Sequence, residues 1–435
     1  MPGSMEKPLF DAASLSAGRQ RLRTKSTAAV DTDTSPSLEG TSSLESAATI
    51  QARRDFSLSS GNAVDIRRYQ SYVQQFNIEV WLHVLGEATF DTIIVPMSRT
   101  DAKAILCSNI YEQQEKDGSS SEEPELGLDS LVARLKTAMH SMDAGDRGVF
   151  VKTSSRSAKD YADPTVLRDV FLAKRRLMDG EVSVRNENRD MIAMSYASME
   201  LLRMKTPEQV TRIFLNSERI WHDMQLALAC SDSSGGDGDS SSDSSLVESW
   251  NESLAVRRWV EIEPDMEFRC FICGGVLTAV SQYRHLLYFP RLERHSAQVL
   301  RTLQDFVENT VAPRLAGVFP KDDYILDLAL ELDSSQGVNC ILLSDRNGEG
   351  FSCPVGALPI TRTWVIEVNP FFDTTDSALY SWTKDASLLM GQEASNARNG
   401  TQKTKPDFRF RSRPAKGASS LMYGTWRDIM ASGEK

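Results

Sequence analysis

Residues 254–283 constrain the fold more than any other stretch of the chain. Three runs rich in apolar, β-branched and aromatic residues follow one another: LAVRRWVEI (254–262), MEFRCFIC (266–273) and VLTAVSQY (276–283). Gly274-Gly275 separates the last two. A Gly-Gly pair between apolar runs signals a hairpin, because the tight turn needs residues that accept positive φ. The second half of the chain is therefore expected to open on an antiparallel sheet. Two further strand-type runs follow, YILDLALEL (324–332) and TWVIEVNPFF (363–372). Residues 333–362 between them are polar and Gly-containing, so the two runs read as a hairpin with a long inserted loop.

The first half is mixed. Phe90, Ile93, Ile94 and Val95 make a β-prone run ended by Pro96, and GVFVK (148–152) reads as a short buried strand. Leu128, Leu131, Val132, Leu135, Met139 and Met142 recur at helical spacing. Residues 207–229 read as one helix that starts after Thr206-Pro207, where Thr caps and Pro suits the first turn. Val299, Leu300, Leu303, Phe306, Val307 and Val311 mark one face of another. This is an α+β chain, expected to form an N-terminal lobe over 65–250 and a C-terminal lobe over 251–385. Residues 1–64 and 386–435 read as disordered or polar tails, the second carrying the basic patch KTKPDFRFRSRPAK (403–416). The tract SDSSGGDGDSSSDSS (231–245) holds only Ser, Asp and Gly and reads as a solvated loop. KDGSSSEEPELG (116–127) reads as a flexible connection.

A net charge of −11 argues against a nucleic-acid partner, which needs basic surface. No apolar run approaches the roughly 18–20 residues of a membrane span. MPGSMEKPLF lacks the apolar core of a signal peptide, and the six cysteines form no spaced framework. A cytoplasmic protein with reduced thiols and no membrane attachment is expected.

Three residues on the late strands stand out. Asp327 lies between apolar neighbours, and Glu367 and Asn369 lie two apart in Val-Ile-Glu-Val-Asn-Pro. Residues two apart on a strand share a face, so a hairpin would gather three oxygen donors. They read either as ligands for a hard cation such as Mg²⁺ or as a polar strand face. In VFVKTSSRSAKDY (149–161) a buried strand delivers Lys152 to a loop of small polar residues. This is either a phosphate contact or an ordinary surface lysine, since the GxxxxGK[ST] pattern is absent. Cys270 and Cys273 form a CxxC. Three apart on a strand, they point to opposite faces and lack a second pair, so a metal role is not expected.

These segments, in this order, resemble the cell division cycle protein 123 family. RRWVEIEPDMEFRCFICGGVLTAVSQY (257–283) is similar to that family's Arg-Lys-Trp strand, Glu-Phe-Arg-Cys-Phe strand and Ile-Ser-Gln segment. YILDLAL and WVIEVNPF resemble its paired Asp strand and its Trp-Leu-Ile-Asp-Phe-Asn-Pro-Phe strand. VFVKTSSRSAKD resembles its lysine loop, and MKTPEQVTRIFLNSERI (204–220) one of its helices. The resemblance covers roughly residues 70–385, with gaps. It implies an ATP-grasp fold holding ATP between two lobes and a role in assembling translation initiation factor 2 by binding its gamma subunit. It further implies that Lys152 contacts phosphate and that the Ser154–Asp160 loop, with Ser154, Ser157, Lys159 and Asp160, covers the nucleotide. Arg258, Trp259 and Val260 would form the hinge near adenine. Glu267 would sit like a ribose-binding acid and Arg269 would face phosphate, with Mg²⁺ on Asp327, Glu367 and Asn369.

The departures are specific. Glu367 replaces an Asp, Val151 and Ser155 replace a Pro and a Trp, and insertions are expected at 161–195 and 333–362. A different protein client for a divergent paralogue is one alternative. An ATP-grasp ligase forming an acyl phosphate is another.

Overall fold

The computed structural model describes residues 71–115, 127–179, 186–232, 250–333, 356–392 and 405–432. The expectations for the tail 1–64, for nearly all of the 116–127 connection and the 231–245 tract, and for most of the 333–362 loop lie outside these residues. The chain divides into two compact units. Of the first, Met1–Tyr72, residues 71 and 72 are described, both helical. All that follows concerns the second, Val73–Lys435.

Its architecture is mixed α+β with two sheets. After helix α1 (Ile78–Leu85), strand β1 (Thr92–Pro96) leads into helices α2 (Arg99–Glu115) and α3 (Asp129–Ser141). Strand β2 (Val149–Thr153) and helices α4 (Pro164–Asp179), α5 (Glu187–Glu200), α6 (Pro207–Leu215) and α7 (Glu218–Asp232) follow, then β3 (Ser253–Arg258). The first sheet has the order β1-β3-β2, antiparallel throughout. Strand β3 is thus the centre of a sheet whose edges come from the N-terminal half. The boundary expected at residue 250 falls one strand too early. The strand also stops at Arg258 rather than running to 262, because Pro264 opens a 3₁₀ turn that carries the chain away.

The second sheet has the order β7-β6-β4-β5-β8. It is built from β4 (Glu267–Cys273), β5 (Val276–Gln282), β6 (Tyr324–Leu332), β7 (Ile360–Pro370) and β8 (Asp407–Arg409). The hairpin read at Gly274-Gly275 is present, with φ of 57° and 74° at the two glycines. β6 and β7 pair antiparallel, as read. β8 was not foreseen. It lies within the stretch expected as a polar tail, yet pairs in parallel with β5, and Tyr380 donates its phenol to the Asp407 carboxylate at 3.0 Å. Beyond it, helix α9 (Gly424–Ser432) packs on α4 and α5. Charged pairs help hold the chain there: Arg409 bonds both oxygens of Asp385 at 2.8 and 3.0 Å. Composition alone therefore reads the segment as solvated.

The helix expected over 207–229 is two. Thr206 and Gln209 form a capping box at the start of α6. The break falls at Asn216-Ser217, where the Ser217 hydroxyl accepts from Ile220 N at 3.2 Å and so begins α7. Apolar residues of α2, α3, α6 and α7 cover one face of the first sheet, with Val149, Val151, Leu254 and Val256 at its centre. Helix α8 (Pro290–Phe306) runs between β5 and β6 along the chain and buries Val299, Leu300 and Leu303. A separate aromatic cluster, Phe271 against Phe371, Tyr380 and Trp382, fills one face of the second sheet.

Candidate functional site

Strand alternation builds one wall of a cavity. In β2, Val149 and Val151 turn into the apolar core, so Phe150 and Lys152 face the other way. In β3, Leu254 and Val256 do the same, leaving Ala255 and Arg257 opposite Lys152 and Phe150. Phe150, Lys152 and Arg257 line a cavity of about 310 Å³ that also takes residues from the second sheet.

The second sheet contributes through a bulge. The β6–β7 ladder pairs Asp327 with Glu367 and then Leu328 with Val365, skipping Ile366. The carbonyl left over at Ile366 accepts from Arg257 Nη1 at 2.6 Å. Arg257 Nη2 also donates to Thr89 Oγ1 at 2.7 Å, while its Nε finds no hydrogen-bond partner among the described residues. Burial pulls this guanidinium down to about 10, against the opposing charge of Glu367. Lys152 is buried and donates to the Glu367 carboxylate, a second tie between the sheets. Burial would raise the pKa of Glu367. The charges of Lys152 and Lys159, the Lys152 hydrogen bond and Arg269 outweigh it and bring the group down to about 2.

The loop after β2 is held from both sides. Thr153 N donates to the Arg156 carbonyl at 2.8 Å, and Arg156 N to Thr153 Oγ1 at 2.9 Å. Asp223 on α7 accepts from Ser155 Oγ and Arg156 Nε. Ala158 is buried in the core, so Ser157 and Lys159 face the cavity. Lys159 donates to the Tyr283 hydroxyl at 2.9 Å. Burial works against its charge, but Tyr283, Glu367 and Glu267 outweigh burial and hold the ammonium protonated well above its ordinary range.

Of the residues singled out in the sequence, Lys152, Ser157, Lys159, Arg258, Trp259, Val260, Glu267, Asp327 and Glu367 all line this cavity. Four stand elsewhere. Ser154 is fully buried; it donates to Glu79 at 2.6 Å and accepts from Ser253 N at 2.9 Å. Asp160 caps α7, accepting from Ser217 Oγ at 2.6 Å and Arg219 N at 3.0 Å. Arg269 grips Asp327 through two bonds of 2.9 Å instead of facing the cavity. Asn369 lies behind Asp327 and donates to it at 3.2 Å. Of the CxxC pair, Cys270 is fully buried and Cys273 half-buried.

Arg257, Tyr283, Arg284, Arg219, Tyr423 and Trp426 line the cavity without having been foreseen. Arg257 was legible, since alternation from Val256 points it to the Lys152 face. Tyr423 and Trp426 carried no signal, because contact across that distance is not written in local pattern.

Six cationic side chains face the cavity (Lys152, Lys159, Arg219, Arg257, Arg258, Arg284) against three carboxylates (Glu267, Asp327, Glu367). Trp259, Val260, Ile262 and Ile366 add apolar surface. A polyanion carrying a flat apolar group suits such a lining.

Fold and site thus define a mixed α+β protein with an anion-suited cavity where two sheets meet. The chain belongs to the D123 family, whose model matches residues 189–422. Lys152, Ser157 and Lys159 precede that stretch. The chain is 26% identical over 182 residues to the translation initiation factor eIF2 assembly protein of Danio rerio, covering 42% of this chain and 40% of that protein. It is 26% identical over 244 residues to cell division cycle protein 123 of Phaeosphaeria nodorum, covering 54% of each. The chain thus matches about half or less of these relatives' length. The structure of Cdc123 from Schizosaccharomyces pombe aligns over 79% of this chain and 98% of that one, with a TM-score of 0.46 and 17% identity.

Proposed function

We propose that the cavity binds ATP with magnesium between two lobes of an ATP-grasp fold, and that the chain serves the assembly of translation initiation factor 2 through its gamma subunit. The observation that carries the nucleotide reading is the excess of cationic over acidic side chains lining the cavity beside an apolar shelf, with two of the carboxylates in register on adjacent strands. Lys152, Lys159 and Arg219 face where a polyphosphate would lie, and the apolar stretch Trp259–Val260 suits a purine. Glu267 offers a carboxylate to ribose hydroxyls.

Asp327 and Glu367 present carboxylate oxygens to the cavity, and Asn369 stands behind Asp327 as the third oxygen donor of the set magnesium would take. Among the described residues no three His, Cys, Asp or Glu side chains converge as a metal cage. This suits an ion that completes its shell with water and phosphate oxygens. Bound there, magnesium would neutralise phosphate charge and orient it. The protein's own part is to position: Arg269 holds Asp327, and Lys152 holds Glu367, so both carboxylates are set before a ligand arrives.

Calorimetric titration of the full chain tests the reading. MgATP is expected to bind, with affinity falling tenfold or more, on an order-of-magnitude view, when Lys152 is changed to Ala or magnesium is chelated. Heat and thermal shift indifferent to nucleotide would overturn it. Family membership and the relatives named as eIF2 assembly proteins support the partner reading. Co-precipitation of the gamma subunit, with and without MgATP, tests that part separately; no capture by the folded protein in either condition would remove it.

A further inference from the structure

The cavity has a wall that belongs to neither sheet, and its two aromatic residues lie beyond the family-matched stretch. Tyr423, just before α9, and Trp426 in its first turn line it together with Ser198 and Met199 of α5 and Leu202 just beyond that helix. Their rings meet edge to face at 5.1 Å. Tyr423 is 52% exposed, although it lines the cavity. Helix α9 and its packing partner α4 both fall outside residues 189–422, one on either side.

The attachment of this wall is light. Ala418, Ile429 and Met430 are the apolar residues it buries. Its polar anchor is Glu187 in the first turn of α5, whose carboxylate accepts from Gly417 N and Ser419 N at 3.0 Å each and from Ser419 Oγ at 2.6 Å. A segment with so little buried apolar surface belongs to the low-stability end of a protein, where local opening is cheapest. A ligand that touches such a segment only when docked shifts the balance towards docking, and docking tightens the ligand in return.

We propose that residues 417–432 form a detachable wall of the nucleotide cavity, with Tyr423 and Trp426 as direct ligand contacts and Glu187 as the positioning residue that holds them there. The proposal rests on the reading of the cavity as a nucleotide site. Aromatic faces at this place supply contact area to a flat or apolar ligand group and exclude water from it. Ligand affinity and wall docking are then one coupled equilibrium.

Hydrogen exchange on the full, unaltered chain with and without MgATP tests this directly. Backbone amides of 417–432 are expected to exchange at least about fivefold more slowly with the nucleotide bound. In calorimetry, the Tyr423→Ala/Trp426→Ala double variant is expected to bind MgATP roughly tenfold more weakly. Glu187→Ala, which leaves every cavity-lining side chain in place, should weaken binding several-fold and abolish the ligand-dependent protection. If wild type binds MgATP while exchange over 417–432 is unchanged, the wall is inert and the proposal is overturned, with the nucleotide reading intact. If wild type does not bind MgATP, both fall. The exchange experiment requires no substitution, so it decides the matter even if a variant fails to fold.

Discussion

Asp327 and Glu367 face each other across β6 and β7, and each is tied to its own cation. This changes how substitutions there must be read. Asp327→Ala removes an oxygen donor, but it also leaves Arg269 buried without its carboxylate, a loss of about 3–5 kcal/mol of stability. Lower MgATP affinity in that variant would mix two causes. Asn369→Ala is cleaner, because Asn369 is neutral and donates a single bond of 3.2 Å. It is expected to keep its melting temperature within a few degrees and to weaken MgATP binding about tenfold. Unchanged affinity in the folded variant would remove Asn369 from the magnesium set. A second residue gives a pH prediction independent of any ligand. Burial, with Asp223 and Glu79 nearby, raises Glu252 to about 8. Its folded pKa exceeds the ordinary 4.5, so its contribution to stability is full below pH 4.5 and is lost as pH rises through 8. Between pH 6 and pH 9 the loss is on the order of 2 kcal/mol. Chemical denaturation should show Glu252→Gln gaining on wild type as pH rises across this window. Parallel pH curves for the two proteins would show that Glu252 does not titrate there.

Individual elements obey local rules closely enough to be tested one by one. The Gly274-Gly275 turn places both residues at positive φ, and a Cβ at Gly274 would meet nothing within 4 Å. Gly274→Ala should therefore cost only its backbone conformation, about 1 kcal/mol in urea unfolding. An effect near zero would mean that the turn relaxes. Thr206→Ala removes one half of the capping box of α6 and is expected to cost about 1 kcal/mol. These elements were legible because their signals lie within a few residues of one another: Gly-Gly between apolar runs, and Thr-Pro ahead of an apolar periodicity. The break at Ser217 was not read, because the same periodicity continues through it. Its cause is a side chain that begins a new helix while bonding Asp160, 57 residues earlier.

At the scale of the molecule, β3 decides what can fold alone. It lies after residue 250 in sequence but between β1 and β2 in space. A fragment of residues 65–250 therefore keeps both edge strands and loses the strand that joins them. It is expected to lack cooperative thermal unfolding by circular dichroism, whereas the full chain unfolds cooperatively. A fragment that folds with a sharp transition would contradict the central role of β3. Much of this molecule was nevertheless determined by sequence alone. The β-rich block at 254–283, the pairing of the late strands and the common strand face of Glu367 and Asn369 all follow from period-two alternation and turn chemistry, which act over a few residues. Lys152 and Arg257 point into the cavity for the same reason, through the buried valines beside them. Only tertiary structure decided that Ser154 and Asp160 brace the loop from behind, that Arg269 pairs with Asp327, and that Tyr423 and Trp426 close one side of the site. Those outcomes depend on which distant charge or apolar surface arrives beside each group, and burial then makes the pairing obligatory.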